Sequence, residues 1–344
     1  MASSISPIPL EIPQGAIRLN TDSQKLEFYA QDKWWQMATD VPTLDGGARG
    51  LYFNGSVPGT TEVNTIEYIT ISTQGNATNF GDSTIASRQG TAFSGSTRAV
   101  RGGGVDGSPH SDVMDYVTNA STGNAIDFGD FTTSKIGYPS GIANQTRGFC
   151  AGGERGTPAA NVDVIEYVTI ATTGNAIDFG DLTYTAQGES GGGSPTRGIV
   201  AGGFSPTMFS NINFFTMATL GNAREFGELE TAKRGASRGQ SNNPIRWVMI
   251  GGQTPSYVNT IDYITIATFG NSVNFGDCST NLATTGAMAS PTRCVYAGGS
   301  SSDPTYVNTI AYIEFATQGD GVDFGDTTTA TSGVSGCSNA HGGL

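Results

Sequence analysis

The sequence predicts an all-β fold, a six-bladed β-propeller preceded by a small β-module, and three observations carry that prediction. The tripeptide Phe-Gly-acid recurs six times, starting at Phe80, Phe128, Phe179, Phe226, Phe275 and Phe324, at intervals of 47 to 51 residues. Fixed periods of this size mark repeat architectures. Twelve residues before each Phe stands an aromatic (Tyr68, Tyr116, Tyr167, Phe214, Tyr263, Tyr312), inside runs such as Ile261-Asp262-Tyr263-Ile264-Thr265-Ile266. Strict alternation of apolar and polar residues is the signature of a half-buried strand. Finally, the chain of 344 residues holds 49 glycines and only 14% charged residues. That composition suits many short strands joined by tight turns, and 37% hydrophobic residues can bury a core.

In chain order, residues 1–43 form an N-terminal module and residues 44–344 the propeller. Within 14–38, Ile17/Leu19 and Leu26/Phe28 alternate around polar turns and lead to Trp34-Trp35. This reads as a hairpin or three-stranded unit, too small to be stable without a partner surface. Each repeat then supplies four candidate strands. The first follows an arginine (Arg49, Arg98, Arg147, Arg197, Arg246, Arg293) and ends at a Gly-Gly or Asn-Gly break. The second carries the Tyr or Phe. A Gly-Asn turn (Gly75-Asn76 onward; Gly319-Asp320 in the last copy) leads to the third, which ends in Phe-Gly-acid, and is read as a hairpin. The fourth is a Gly/Ser/Ala stretch before the next arginine, as in residues 286–291. A β-solenoid is the rival architecture, but its coils use fewer residues and lack such hairpins.

The first repeat lacks the Gly/Ser/Ala strand, since residues 40–47 are short and loop-like, whereas residues 333–344 supply one to spare. The economical arrangement pairs that spare strand into the first sheet, which hides an open edge and closes the ring.

The net charge of −13 and pI near 4.4 oppose binding to a phosphate backbone, so no nucleic-acid partner is expected. No apolar window is long enough for a membrane helix, and the first twenty residues do not read as a signal peptide, so synthesis and folding in a cytosol are expected. Cys150, Cys278, Cys294 and Cys337 show no metal-ligand spacing and are expected to be small buried thiols. Only His110 and His341 are available for histidine chemistry, and no nucleophile elbow or phosphate loop occurs. No catalytic, cofactor-binding or metal-binding residue is therefore assigned, and the chain is expected not to be an enzyme. One arginine and one acid per repeat suggest structural ion pairs, drawn from Arg98, Arg147, Arg197, Arg246 and Arg293 with Asp82, Asp130, Asp181, Glu228 and Asp277. The loops at 56–63, 104–112, 154–163, 204–211, 253–258 and 300–307 differ most between repeats and are where ligand contacts are expected.

The order Arg, apolar strand, Gly-Gly, then Asn-Thr-Ile-Glu-Tyr (residues 64–68, with near copies at 259–263 and 308–312) resembles the kelch repeat over residues 48–344. Phe-Gly-Asp stands where kelch repeats carry a Trp, which makes this a kelch-like variant. The fuller form Asn-Thr-Ile-Asp-Tyr-Ile-Thr-Ile-Ala-Thr looks like repeats in structural proteins of marine tailed bacteriophages. Gly15-Ala16-Ile17-Arg18-Leu19-Asn20-Thr21 with Leu26-Glu27-Phe28-Tyr29 and Trp34 resembles a short module of phage tail, baseplate and fibre proteins. These resemblances imply a virion structural protein, of a tail fibre, baseplate or other appendage. Other virion proteins would be partners through Phe28, Tyr29, Trp34 and Trp35, the propeller would meet host-surface glycan or protein, and an oligomer in the particle is compatible. An intracellular kelch-type scaffold and a polysaccharide-degrading propeller are the alternatives.

Overall fold

A computed structural model of the chain describes residues 12–20, 25–36, 48–59, 61–106, 110–133, 136–156 and 158–344. All regular elements among them are β-strands. The chain divides into two compact units, Met1–Leu44 and Asp45–Leu344. The loop-like segment at 40–47 and the turn at 21–24 lie outside the described residues.

In the smaller unit, Ile17–Asn20, Lys25–Ala30 and Lys33–Gln36 form a three-stranded antiparallel sheet. Gln31 and Asp32 both adopt positive φ (53° and 59°), the geometry of a two-residue turn whose twist matches the flanking strands. The register places Ile17 opposite Phe28 and Phe28 opposite Trp35, with Leu19 opposite Leu26. On the other face, Arg18 pairs with the buried Glu27 at 2.8 Å, lies 4.1 Å over the Trp34 ring, and Trp34 meets Tyr29 edge-on.

The larger unit repeats one plan. In five repeats the Gly/Ser/Ala strand pairs with the arginine strand, which pairs with the aromatic strand, which pairs with the Phe-Gly-acid strand, all antiparallel, as in Thr91–Ser94, Arg98–Gly102, Val113–Thr118 and Ile126–Asp130. In the fifth, Arg246–Ile250, Thr260–Thr265 and Val273–Asp277 form a three-stranded sheet, and the short strand Arg238–Gly239 pairs in parallel with Gly286–Ala289 and Ser335–Ser338. The C-terminal strand Ser335–Ser338 pairs with Arg49–Val57, giving the first sheet the strand its own sequence lacks. The Gly/Ser/Ala strands lie innermost and pack side by side in cyclic order, the last against the first. Among the described residues, six core clusters each join two consecutive repeats. One of them unites Tyr52, Ile69 and Ile71 with Met288, Val295 and Phe324, so the last repeat packs on the first. The architecture is that of a β-propeller.

The Phe-Gly-acid motif has a local cause. In all six copies the ladder slips by one residue at the Phe, a β-bulge. A bulge breaks the alternation of faces and re-aims a side chain. Here it turns the Phe inward, where each of the six is buried and meets its repeat's Tyr or Phe edge-on at 5.7–6.2 Å.

The Gly-Asn dipeptide is not the centre of a hairpin turn, contrary to the sequence reading. The chain turns earlier, where the Thr73 amide donates to the Thr70 carbonyl. Gly-Asn then docks on the preceding repeat. The Gly123 amide donates to the Phe80 carbonyl, Asn124 Oδ1 accepts from the Asp82 amide, and the Ala125 amide donates to the Asp82 carbonyl. The same stitch recurs around the molecule, ending with Gly75 and Asn76 on Phe324 and Asp326. Gly81 must be glycine because a Cβ there would lie 2.2 Å from the Gly123 carbonyl oxygen.

Candidate functional site

The segments entering the six innermost strands converge at one end of the repeat unit. Gln89, Tyr138, Gly188, Gly235, Thr284 and Gly333 occupy equivalent positions, and all six have positive φ, between 56° and 74°. Their backbones form a closed hydrogen-bond ring. Each amide donates to the carbonyl of the previous ring residue at 2.6–3.1 Å, and Gln89 donates to Gly333. Glycine adopts this conformation freely, whereas other residues bear a cost of about 1–2 kcal/mol. Gln89, Tyr138 and the β-branched Thr284 bear it.

The residue before each ring position bridges to the loop between the arginine and aromatic strands, as in Arg88 with Val105, Arg234 with Gln253, and Ala283 with Ser300. The loops singled out as most variable therefore surround this same end. A depression of about 320 Å³ opens among them, lined by Tyr138, Gln187, Arg234, Arg238, Gln253 and Tyr257 together with ring residues. Arg234 Nε donates to Gln253 Oε1 at 3.1 Å, and its guanidinium lies 4.5 Å over the Phe204 ring. A smaller cavity of about 60 Å³ lies between the first and last repeats. Its one charged lining residue, Glu67, already accepts from Thr328.

Arg238 is 4% exposed, with Nη1 3.4 Å from the Gln89 carbonyl oxygen and Nε without a hydrogen-bond partner. Burial lowers its pKa to about 10, which leaves it cationic at neutral pH. Glu189, on the neighbouring innermost segment, is buried too. Its burial holds the carboxyl well above the usual carboxylate range, against the opposing pull of nearby backbone amides, Arg238 and Arg155. Arg155 itself pairs with Glu166 at 2.8 Å, both fully buried.

At the opposite end the chain terminus crosses the innermost strands. His341 Nε2 lies 2.7 Å from the Ser94 carbonyl, while its Nδ1 accepts from the Gly343 amide. This pattern fixes the neutral Nε2–H form. The Gly342 amide donates to the Asn242 carbonyl.

The repeated arginines lie at that end and do not pair with the Phe-Gly-acid carboxylates. Arg49, Arg98, Arg147, Arg246 and Arg293 each stack on the Tyr of their own repeat at 4.2–4.9 Å, and Arg197 lies over Phe214 and Phe269. Nη1 then reaches a carbonyl at the end of the next repeat's aromatic strand: Arg49 to Asn119, Arg98 to Ile170, Arg147 to Met217, Arg197 to Ile266, Arg246 to Phe315, and Arg293 to Ile71. Those carbonyls have left the ladder and need a donor, and a planar guanidinium can stack and donate at once. Arg293 also pairs with Glu314. The acids Asp82, Asp130, Asp181, Glu228 and Asp277 contribute their backbones to the stitch described above.

Of the four N-terminal aromatics, Phe28 and Trp35 share the face of Ile17, Leu19 and Leu26, while Tyr29 and Trp34 occupy the other, with Arg18. Cys150, Cys278, Cys294 and Cys337 are buried free thiols. Among the described residues, no group of three or more His, Cys, Asp or Glu is placed to hold a metal ion.

No family model matches the chain, and no curated protein compared with it matches. Among solved structures the chain is similar to the one titled "Structure of YjhT", with a TM-score of 0.61 and 11% identity, over 73% of this chain and 87% of that one. YjhT is a kelch-like β-propeller. At this identity the likeness is one of fold alone, and it places the repeat region of this chain among the β-propellers.

Proposed function

We propose that the chain is a bacteriophage virion structural protein, a subunit of a tail fibre, baseplate or other appendage. In this reading the repeats form a closed six-bladed ring displayed for host-surface recognition, and the N-terminal sheet docks the subunit to another virion protein. The role is attachment and display rather than catalysis. Supporting closure are the backbone ring through Gln89 and Gly333, the Ser335–Ser338 strand in the first sheet, and the core cluster shared by the first and last repeats.

The observation that carries docking is the apolar face of the N-terminal sheet. Ile17, Leu19, Leu26 and Trp35 are 62%, 61%, 44% and 47% exposed, and they lie together around Phe28. Contiguous exposed apolar residues mark interaction surfaces, and a sheet this small needs a surface to cover it. Buried aromatic anchors such as Trp35 dominate interface energies.

Particles assembled with the double variant Leu19→Glu/Trp35→Glu test this reading. The variant chain should fold, as judged by its circular dichroism, yet be absent from purified particles by mass spectrometry. Incorporation at the wild-type level would contradict it. The phage assignment itself rests on the repeat and N-terminal resemblances.

A further inference from the structure

We propose that the mouth ringed by the variable loops binds a carboxylate-bearing sugar residue, a uronate, whose carboxylate meets Arg238. This deepens the display reading by naming the chemistry that the loop end would recognise.

The first argument is a break in the repeat. The arginine follows nine positions after the ring residue in four repeats (Gln89 to Arg98, Tyr138 to Arg147, Gly188 to Arg197, Thr284 to Arg293). Arg246 follows Gly235 by eleven positions. The extra residues bulge from the innermost strand. Gly239 approaches the backbones of Ala287 and Gly336, where its strand pairs in parallel with theirs. The bulge carries Arg238 to the mouth. The equivalent positions, three residues beyond each ring residue, are Ala92, Gly141, Gly191, Ala287 and Gly336. A packing residue recurs in every repeat, and a charge that breaks the repeat at a cavity is a functional signature.

The second argument is the chemistry of the lining. In a chain of net charge −13, the described lining of the depression holds Arg234 and Arg238 against one acid, Glu154, while Glu189, buried beside Arg238, has its carboxyl pKa raised by burial. Arg238 is the one buried charge among them, and its Nε and Nη1 lack a well-formed partner. A guanidinium receives a carboxylate through two parallel hydrogen bonds, from Nη2 together with Nη1 or Nε. The six ring amides are all spent on ring carbonyls, so no nest of free amides remains to cradle a phosphate. Gln89, Gln187 and Gln253 with the Tyr138 and Tyr257 hydroxyls offer donors and acceptors for sugar hydroxyls. A volume of about 320 Å³ is enough for a sugar ring.

Isothermal titration of the isolated full chain with D-glucuronate, D-galacturonate, D-glucose and inorganic phosphate tests the proposal. Saturable binding of a uronate is expected, with none of glucose and weaker binding of phosphate. Arg238→Gln should weaken uronate binding at least tenfold. Tyr257→Ala, at the rim and away from the innermost strands, should weaken it several-fold, and it keeps the test valid if Arg238→Gln does not fold. No saturable binding of either uronate, glucose or phosphate binding as tightly, or indifference to both substitutions would each overturn the proposal. Because the titration uses isolated protein, its failure leaves the particle-docking reading standing, and the reverse also holds.

Discussion

Arg98 shows what each repeated arginine contributes. Its guanidinium lies 4.2 Å over Tyr116 and donates at 3.0 Å to the Ile170 carbonyl of the next repeat. A hydrogen bond from a charged donor is worth about 1.5–3 kcal/mol and a partly desolvated cation–π contact about 1 kcal/mol. Arg98→Ala should therefore cost about 2–3 kcal/mol in urea unfolding. Arg98→Lys should recover less than half, because an ammonium cannot stack and reach together. A loss below about 0.5 kcal/mol for Arg98→Ala would contradict this role. The arginines were legible as markers because they recur. Their partner was not, since one acid per repeat made an ion pair the simpler inference, and a carbonyl leaves no mark in sequence. The glycines divide in a similar way. A Cβ on Gly129 would lie 2.5 Å from the Gly174 carbonyl oxygen, whereas one on Gly123 meets nothing within 4 Å, at comparable φ (140° and 156°). Both substitutions strain the backbone, so the steric excess for Gly129→Ala over Gly123→Ala should be about 1–3 kcal/mol, read from paired denaturation curves.

At the scale of the element, the C-terminal segment is both a strand of the first sheet and a cap across the innermost strands. Removing residues 333–344 takes out Gly333 of the ring together with the strand paired to Arg49–Val57. Hydrogen exchange should then show loss of protection first in residues 49–57. His341 makes the same element sensitive to pH. Burial lowers its pKa from 6.5 to about 4, so the folded state disfavours the imidazolium. The stability it lends is present above pH 6.5 and is lost as the pH falls toward 4, by about 3 kcal/mol at most. Glu189 acts in the opposite sense, because its raised carboxyl pKa favours the folded state at low pH. The difference between wild type and His341→Phe isolates the histidine. That difference should shrink by about 3 kcal/mol between pH 7 and pH 4, and a constant difference would refute the assignment. The need for a spare C-terminal strand could be counted from the sequence. The capping role of residues 339–344 could not, because it depends on where the innermost strands end in space.

At the scale of the whole molecule, the period of the sequence reports the plan because each repeat buries its apolar faces only against its neighbours, and that demand repeats with it. Phe80 and its five counterparts are legible for this reason, as is the variability of the loops that surround the mouth. The departures from period carry the rest. Arg238 carries no mark of its own in the sequence, because Phe and Arg set the register of the repeats and two extra residues between Gly235 and Arg246 fall within a stretch that varies little in type. Read alone, that length difference was the available signal. The N-terminal module was legible as strands, but not the division of its aromatics. Trp34 and Trp35 are adjacent and so must face opposite sides of the sheet, which leaves Trp35 with the apolar face and Trp34 stacked beneath Arg18.

Cryo-electron microscopy of purified particles tests the central claim most directly. The account predicts six sheets in a closed ring, the face of Ile17, Leu19, Leu26, Phe28 and Trp35 buried against another virion protein, and the mouth around Arg238 turned outward. Absence of the chain from particles, or that apolar face packed on the repeats of its own chain, would contradict it.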